Sequence, residues 1–351
     1  MAKEKLVIVS LGQKFNSDEA RYRYFKGMFD YLKEQGLDVS IENGDEYDEE
    51  LTVRLLRDMD GVIFSSNGPM SRGVMERLPR LKFVMRFGIG LNSIDLTAAT
   101  ELKKIVCYTP GYCSEEVGIH AVALALSSLR NVTYYDRLVR GGAWPRGNGP
   151  LPERPRSMTV GTFGLGLSAR VFARAMGQGL GARLIACDPY ALREDAEKLN
   201  VELVSFEELL ERSDLISIHA PLNRETYHAF NAEAFGKMKT NAILVNVSRG
   251  PVVDTDALVG ALKSGRIAKA ALDVFEVEPL ADDSPLRGFE NVVLTPHSAY
   301  YGRESVEDAN FLIGRITAAV FNKKLLYKKH LANPEVLALL PDYTLTDGPV
   351  E

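Results

Sequence analysis

The chain has 351 residues, of which 46% are hydrophobic, and a formal net charge of −5. This length suggests two domains, and the composition supports a sizeable globular core. The acidic balance argues against a nucleic-acid-binding surface, and no stretch approaches the length of a membrane span. The three cysteines form no Cys-x-x-Cys pair and suit a reducing compartment. We therefore expect a cytoplasmic protein and predict no metal site.

Short apolar strands alternate with helices through the first third of the chain. Strands are predicted at 6–9, 39–41, 60–64, 81–85 and 105–108, and helices at 19–34 and 51–57. This alternation indicates a parallel sheet with helices on both faces. Gly12 to Ser17 are predicted to form a loop, and the turn sequence at 109–111 ends this first unit.

A single long helix is predicted next, over residues 114–141 with Ser114 as its N-cap. The Pro-, Gly- and Arg-rich segment 144–156 is predicted to be a surface loop or a partner-contacting arm. A last helix is predicted to run to Asn322 and to pack back on the first unit. The predicted domains are therefore residues 1–111 with 299–351, and residues 112–298.

The centre of the chain carries the pattern of a dinucleotide-binding turn. A strand at 159–163 runs into Gly164 and Gly166, a helix starts near Ser168, and Asp188 closes a second apolar run. Gly164 permits a sharp turn, and Gly166 lets a pyrophosphate approach a helix N-terminus. The alternative is an ordinary glycine turn, but the strand, the helix and the acid together favour a bound dinucleotide.

Asp188 also indicates which dinucleotide binds. Its carboxylate would accept hydrogen bonds from the ribose hydroxyls and repel a 2′-phosphate. Pro189 and Tyr190 follow it, with no arginine directly after. NAD is therefore the predicted cofactor.

Polar residues cluster where the later buried strands finish. These strands are predicted at 201–204, 215–218, 242–247, 268–274 and 291–295. The residues at their ends include His219, Ser248, Arg249, Asp273 and His297. Ligands in open α/β sheets bind outside the carboxyl ends of the strands, so the active site is expected there.

His297 is the candidate acid/base, although by itself it could equally be structural. A carboxylate on one imidazole nitrogen would orient the ring and favour its protonated form, which can give a proton to a ketone oxygen. Glu276 and Glu278 are both possible partners, and spacing alone does not choose between them.

The other four histidines are expected to play different parts. His219 is predicted to line the cofactor cleft. His120 is predicted to pack in the core or make a cap contact. His228 and His330 lie among loop or tail residues and are predicted to be solvated.

Arg249 is the candidate anion-binding residue. It could be a solvated surface charge, but in a cofactor cleft its planar guanidinium suits a carboxylate. An α-keto acid carries that carboxylate beside a reducible carbonyl. The nicotinamide, the histidine and the arginine together predict hydride transfer at C2 of a 2-hydroxy or 2-keto acid.

From about Leu51 to Asn322, the sequence resembles the D-isomer-specific 2-hydroxyacid dehydrogenase family. Within the family it most resembles the branch related to the C-terminal-binding-protein corepressors. The motifs that carry the resemblance are RFGIGLNSID at 86–95, the dinucleotide turn with Asp188-Pro189-Tyr190, VNVSRG at 245–250, ALDVFEVEP at 271–279 and LTPH at 294–297.

The resemblance implies catalytic roles for three matching positions. Arg249 would clamp the substrate carboxylate, and His297 would be the acid/base. Glu278, directly before a proline, would be the partner of His297, which decides against Glu276.

The resemblance also implies the binding residues. The backbone N–H groups of Ile89 and Gly90 would bind the substrate carboxylate, together with Arg249 and His297, and Tyr300 would wall the pocket. Asp273 would hold the nicotinamide carboxamide. The full set of residues implied for NAD is Phe163, Gly164, Leu165, Gly166, Leu167, Ser168, Asp188, Pro189, His219, Ala220, Pro221, Thr226, Val247, Ser248, Arg249, Asp273 and His297.

For the whole protein, the resemblance implies two Rossmann-like, doubly wound parallel-sheet α/β domains with a hinge and an active cleft between them. It implies a homodimer formed through the NAD-binding domain. The expected partner is a small 2-keto or 2-hydroxy acid substrate, and neither a nucleic acid nor a membrane is expected.

The sequence departs from the family pattern at Asn92-Ser93, Gly111 and Gly118, which affects substrate and hinge details. The pocket walls are expected near 11–15 and 66–72, where the resemblance says least about the substrate. Two alternatives stay open. One is an NAD(H)-responsive, corepressor-like binding protein with incidental activity, and the other is a dehydrogenase of phosphite or formate.

Overall fold

The computed structural model describes residues 4–11, 17–44, 48–64, 68–147 and 151–350. The loop predicted from Gly12 to Ser17 and the pocket wall predicted near 11–15 therefore lie largely outside the described residues, as do residues 66 and 67 of the wall predicted near 66–72. The chain divides into two compact units, Met1–Tyr112 with Gly302–Glu351, and Cys113–Tyr301. The domain ends predicted at 111 and 298 differ from these by one and three residues.

The first twelve strands agree with the predicted apolar runs to within three residues at each end, and the last two lie in the tail, where no strand was predicted. They are β1 Lys5–Leu11, β2 Asp38–Gly44, β3 Gly61–Phe64, β4 Phe83–Arg86, β5 Ile105–Cys107, β6 Thr159–Phe163, β7 Arg183–Cys187, β8 Val201–Leu203, β9 Leu215–Ile218, β10 Ile243–Asn246, β11 Lys269–Leu272, β12 Val292–Leu294, β13 Leu325–Tyr327 and β14 Thr344–Thr346. The helices are α1 Asp18–Glu34, α2 Glu49–Leu56, α3 Arg72–Glu76, α4 Leu96–Glu101, α5 Ser114–Arg130, α6 Val132–Arg140, α7 Leu167–Ala173, α8 Arg193–Lys198, α9 Phe206–Arg212, α10 Ala232–Lys237, α11 Thr255–Lys263 and α12 Arg303–Ala318.

The first unit is a five-stranded parallel sheet in the order β2-β1-β3-β4-β5. Its strands are buried on both faces, which is why they read as continuous apolar runs. Helix α12 packs against α1. There the Asn310 side chain accepts from the backbone N–H of Met28 at 3.3 Å and donates to the Tyr24 carbonyl at 2.9 Å.

The tail of the chain completes this unit. β13 and β14 pair in parallel, and the Asn333 side chain accepts from the backbone N–H of Val106 at 2.9 Å. The prediction that His330 is solvated is wrong, because its side chain is buried and its Nδ1 lies 3.1 Å from the Tyr108 carbonyl oxygen. Burial lowers the pKa of His330, so the imidazole serves this unit as a neutral packing group.

The second unit is a seven-stranded parallel sheet in the order β12-β11-β10-β9-β6-β7-β8. Within this sheet, the chain forms β6 first and adds β7 and β8 on one side of it. It then crosses to the other side of β6 and forms β9 there. The strand order therefore reverses between β6 and β9, and ligands of doubly wound sheets bind at such a reversal.

The single helix predicted over residues 114–141 is wrong. Asn131 has a left-handed backbone (φ 56°, ψ 34°) that ends α5 and starts α6. The Lys269 ammonium holds this break, because it donates to the Ser128 carbonyl at 2.8 Å and to the Asn131 side chain at 2.5 Å. A cation at the carboxyl end of a helix also complements the helix dipole. The predicted N-cap is one residue late, since α5 begins at Ser114 itself and Cys113 takes the cap position.

Two departures from the family pattern have local explanations. A Cβ on Gly118 would lie 2.5 Å from the Val171 Cβ, so α5 and α7 approach too closely there for alanine. Gly111 has φ 87°, in the left-handed region that favours glycine. Within the part of the chain that the structure describes, no helix is long and apolar enough to cross a bilayer.

Candidate active site

The glycine turn lies where the strand order reverses. Gly164 follows β6 with φ 92°, and a Cβ there would stand 2.8 Å from the backbone nitrogen of Ala220, just past β9. A Cβ on Gly166 would point into open space in front of the first turn of α7. The turn thus leaves room at Gly166 for an approaching anion, and the residues present fit a dinucleotide.

Asp188 ties this turn to the end of β7. One of its oxygens accepts from the backbone N–H of Leu165 at 2.7 Å, and the other accepts from that of Tyr190 at 2.8 Å. The carboxylate is therefore held in a fixed place beside the glycine turn, where the predicted ribose contact requires it.

His219 lies at the reversal point between two serine hydroxyls. Its Nδ1 is 3.1 Å from the Oγ of Ser168, on α7, and its Nε2 is 2.9 Å from the Oγ of Ser217, on β9. Burial lowers the pKa of His219 to about 3, so the ring is neutral near pH 7. A neutral ring donates from one nitrogen and accepts at the other, which suits two hydroxyl partners.

His297 and Glu278 form a pair. Nδ1 of His297 lies 2.7 Å from Oε2 of Glu278, whose Oε1 accepts from the backbone N–H of Phe275 at 3.0 Å. Glu276 was the other possible partner of His297, but its Oε1 lies 2.6 Å from Nε2 of His228 instead. The pairing leaves Nε2 of His297 as the nitrogen that can exchange a proton with a ligand.

Asp273 holds the loop that carries His297. Its side chain is 1% exposed, and its carboxylate accepts from the hydroxyl of Thr295 at 2.6 Å and from the backbone N–H groups of Ser298 and Ala299 at 2.9 Å each. Burial by itself would raise the pKa of Asp273, but these bonds and one from His120 bring it to about 2. The predicted contact of Asp273 with nicotinamide stays a prediction.

His120 belongs to this network, whereas only a core or cap contact was predicted for it. Its Nε2 lies 3.1 Å from the Thr295 hydroxyl and 3.4 Å from Oδ1 of Asp273. The contact joins α5 to the ends of β11 and β12, and no spacing rule connects residues so far apart in the chain. Only the packing of α5 on the sheet brings them together.

Arg249 lies three residues after the end of β10, and both its backbone and its side chain are hydrogen-bonded. The Asn246 side chain donates to the Arg249 carbonyl at 3.0 Å, and a guanidinium nitrogen of Arg249 donates to the Ser248 carbonyl at 2.7 Å. The Ser248 hydroxyl donates to the Ala220 carbonyl, beside the glycine turn. Arg249 therefore sits at the same carboxyl edge of the sheet as the turn and the histidine.

The remaining predicted residues are placed as follows. The Tyr300 ring lies edge-on to His297, with 6.3 Å between ring centroids. The Thr226 hydroxyl donates to the Pro221 carbonyl at 2.6 Å, after β9. In the first unit, Ile89 and Gly90 follow β4, with Ile89 exposed and the Gly90 carbonyl accepting from Nε of Arg86 at 3.1 Å.

Comparisons with known proteins fit this arrangement. The NAD-binding domain of the D-isomer-specific 2-hydroxyacid dehydrogenases matches residues 122–299. A glyoxylate reductase of Thermofilum pendens is 38% identical over 305 residues, which cover 84% of this chain and 86% of that protein.

Two solved structures extend the likeness to nearly the full chain. The NAD complex of a formate dehydrogenase from Staphylococcus aureus has a TM-score of 0.81 and 29% identity, and covers 93% of this chain and 98% of its own. A D-lactate dehydrogenase from Aquifex aeolicus, complexed with NAD and lactic acid, has a TM-score of 0.79 and 25% identity, and covers 93% and 99%.

A Rossmann sheet with a glycine turn, and a histidine–carboxylate pair at its carboxyl edge, are features of the NAD-dependent oxidoreductases. Within that class, this chain belongs to the D-isomer-specific 2-hydroxyacid dehydrogenase family. The expectations of fold class, enzyme class and NAD as cofactor are confirmed. The likeness to the corepressor-related branch stays a prediction from the sequence motifs.

Proposed function

We propose that this enzyme interconverts a small 2-keto acid and the corresponding D-2-hydroxy acid, with His297 as the proton donor and acceptor. The observation that carries the proposal is the 2.7 Å contact between His297 Nδ1 and Glu278. When bound, NADH supplies the hydride that reaches C2 of the keto acid. Nε2 of His297 gives the proton to the ketone oxygen, and in the reverse direction it takes the proton back.

Arg249 and Glu278 have supporting roles in this proposal. The Arg249 guanidinium binds the substrate carboxylate through two parallel hydrogen bonds, which fixes C2 for hydride transfer. Glu278 holds the ring of His297 and stabilises its protonated form. We also propose that the backbone N–H groups of Ile89 and Gly90 bind the carboxylate and that Tyr300 walls the pocket, as the family resemblance implies.

The substrate we propose is a keto acid of two or three carbons, because the relative from Thermofilum pendens is named a glyoxylate reductase. The test is NADH oxidation with glyoxylate, hydroxypyruvate, pyruvate and longer 2-keto acids. We expect turnover with at least one short acid. If NADH binds but no acid is reduced, the proposal is wrong. A parallel assay of formate oxidation tests the reaction named for the Staphylococcus aureus structure.

We further propose a cytoplasmic homodimer formed through the second unit. Every residue of α6 is at least partly exposed, and beyond it Trp144 is 77% and Leu151 94% exposed. The dimer itself follows from the family resemblance, and these exposed apolar side chains are the part of the surface that we assign to the contact. Light scattering of the wild type and of Trp144→Ser with Leu151→Ser tests this proposal. A monomeric wild type would contradict it.

A further inference from the structure

His228 lies in the second unit, in the loop between β9 and α10. The sequence predicted a solvated side chain, but the ring stacks on Tyr227 with 4.0 Å between centroids and 14° between planes. Its Nε2 lies 2.6 Å from Oε1 of Glu276, and the Asp254 carboxylate lies 4.0 Å from its Nδ1. The ring of His228 is therefore held in a fixed position, by Tyr227 on one face and by Glu276 at one nitrogen.

The backbone of the His228 loop is bonded to the segment that follows Arg249. The N–H of His228 donates to the Pro251 carbonyl at 2.8 Å, and the N–H of Phe230 donates to the Val252 carbonyl at 3.1 Å. The N–H of Asp254 donates back to the Phe230 carbonyl at 3.1 Å. The main chain around His228 thus fixes the residues directly after the predicted carboxylate clamp.

The side chain of His228 reaches the segment that carries Glu278. Its partner Glu276 also accepts from the backbone N–H of Thr255 at 2.8 Å. Burial would raise the pKa of Glu276, but the hydrogen bonds from Thr255 and His228 lower it overall, so the carboxylate is ionised. Two residues further on, Glu278 holds His297.

The two segments are in direct backbone contact. A Cβ on Gly250 would lie 1.9 Å from the carbonyl carbon of Phe275 and 2.3 Å from the backbone nitrogen of Glu276. The residue after Arg249 therefore rests on the two residues that start the Glu278 loop. A shift of either segment moves the other.

We propose that His228 is a positioning residue that fixes the position of Arg249 relative to the Glu278–His297 pair. It holds the Arg249 segment through its backbone and the Glu278 segment through its imidazole, without touching the reacting atoms. This inference rests on the proposed function, since the relative position matters only if Arg249 and His297 act on one substrate.

The test compares His228→Ala, His228→Gln and Glu276→Gln with the wild type. For His228→Ala we expect kcat/KM for the preferred keto acid to fall roughly 10- to 100-fold, with KM raised and kcat lowered, because small displacements of catalytic groups cost rates of this order. The Kd for NADH should change less than about twofold. His228→Gln should recover most of the loss, because its amide can still donate to Glu276.

Controls separate positioning from general damage. Glu202→Gln breaks an exposed ion pair with Arg212 in the same unit and should leave the kinetics unchanged. The double variant His228→Ala with Glu276→Gln should be no worse than His228→Ala alone, because both remove one contact. If the alanine variant does not fold, Glu276→Gln carries the test from the other side of that contact.

Failure of this inference differs from failure of the proposed function. If the wild type reduces a keto acid and the variants match it, the positioning role is wrong and the function stands. If the wild type reduces none, the function is wrong. In that case the ¹⁵N resonances of the His297 ring decide the structural claim: we expect them to shift in His228→Ala, and unchanged resonances overturn it.

Discussion

The backbone N–H of His297 donates to the carbonyl oxygen of Asp273 at 2.7 Å, while the Asp273 carboxylate binds the residues that follow His297. One residue therefore anchors the loop that carries His297 through both its main chain and its side chain. His297 itself has a left-handed backbone, with φ 52°, which non-glycine residues adopt at some cost. The Asp273 bonds offset that cost.

Asp273→Asn should destabilise the second unit by about 2 kcal/mol or more, because an amide NH₂ would face backbone N–H donors in a buried place. Urea unfolding at pH 7 measures this. Asp282→Asn is the matched control, since that side chain is fully exposed. Equal stability of the two variants would show that the hydrogen bonds of Asp273 do not stabilise the second unit.

The same carboxylate predicts an acid dependence. Its pKa of about 2 in the folded protein lies below the ordinary value of 3.8, so its contribution is fully present above about pH 4 and is lost as pH falls toward 2. That difference amounts to roughly 2 kcal/mol at neutral pH. The stability of Asp273→Asn should therefore vary less than that of the wild type between pH 4 and 2, as denaturant titrations at each pH would show.

His297→Gln should lower kcat by a factor of about 10² to 10⁴, the usual contribution of a positioned acid/base. NADH binding, followed by fluorescence, should change little, because the glycine turn and Asp188 are untouched. A variant with wild-type kcat would show that His297 is not the acid/base.

Asp188→Asn should improve the use of NADPH relative to NADH, because it removes the negative charge that repels a 2′-phosphate while keeping an oxygen that can accept from Leu165 or Tyr190. The ratio of kcat/KM for the two cofactors is the measurement. An unchanged ratio would show that another group sets the preference.

Gly118→Ala should destabilise the protein by about 1–3 kcal/mol, because the new methyl group overlaps Val171 and the Ser168 carbonyl. Gly260→Ala is the matched control on another helix of the same unit, where a Cβ meets open space. It should be neutral or stabilise by about 0.4–1 kcal/mol. Midpoints of urea unfolding distinguish the two.

The sheets could be predicted because buried parallel strands are written as unbroken apolar runs, as at β9 and β10. The glycine turn and Asp188 were equally readable, since their spacing is local. The break at Asn131 was not, because the Lys269 that holds it lies 138 residues away in the chain. The contacts of His228, His330 and His120 were not predicted for the same reason, because their partners come from distant parts of the chain. Spacing also left Glu276 and Glu278 equal, and the structure separates them by giving each its own histidine.

The contact of Asn310 with Met28 spans 282 residues. Because α1 and α12 belong to the same unit, the hydrophobic core of the first unit stays exposed on the α1 face until α12 has left the ribosome. By then almost the whole chain has been synthesised. The second unit, by contrast, is uninterrupted in sequence and has all its strands once β12 has emerged. During synthesis the cofactor-binding unit is therefore complete first, and the nascent α1 face, with Phe25, Met28 and Leu32, must be shielded from aggregation until α12 arrives.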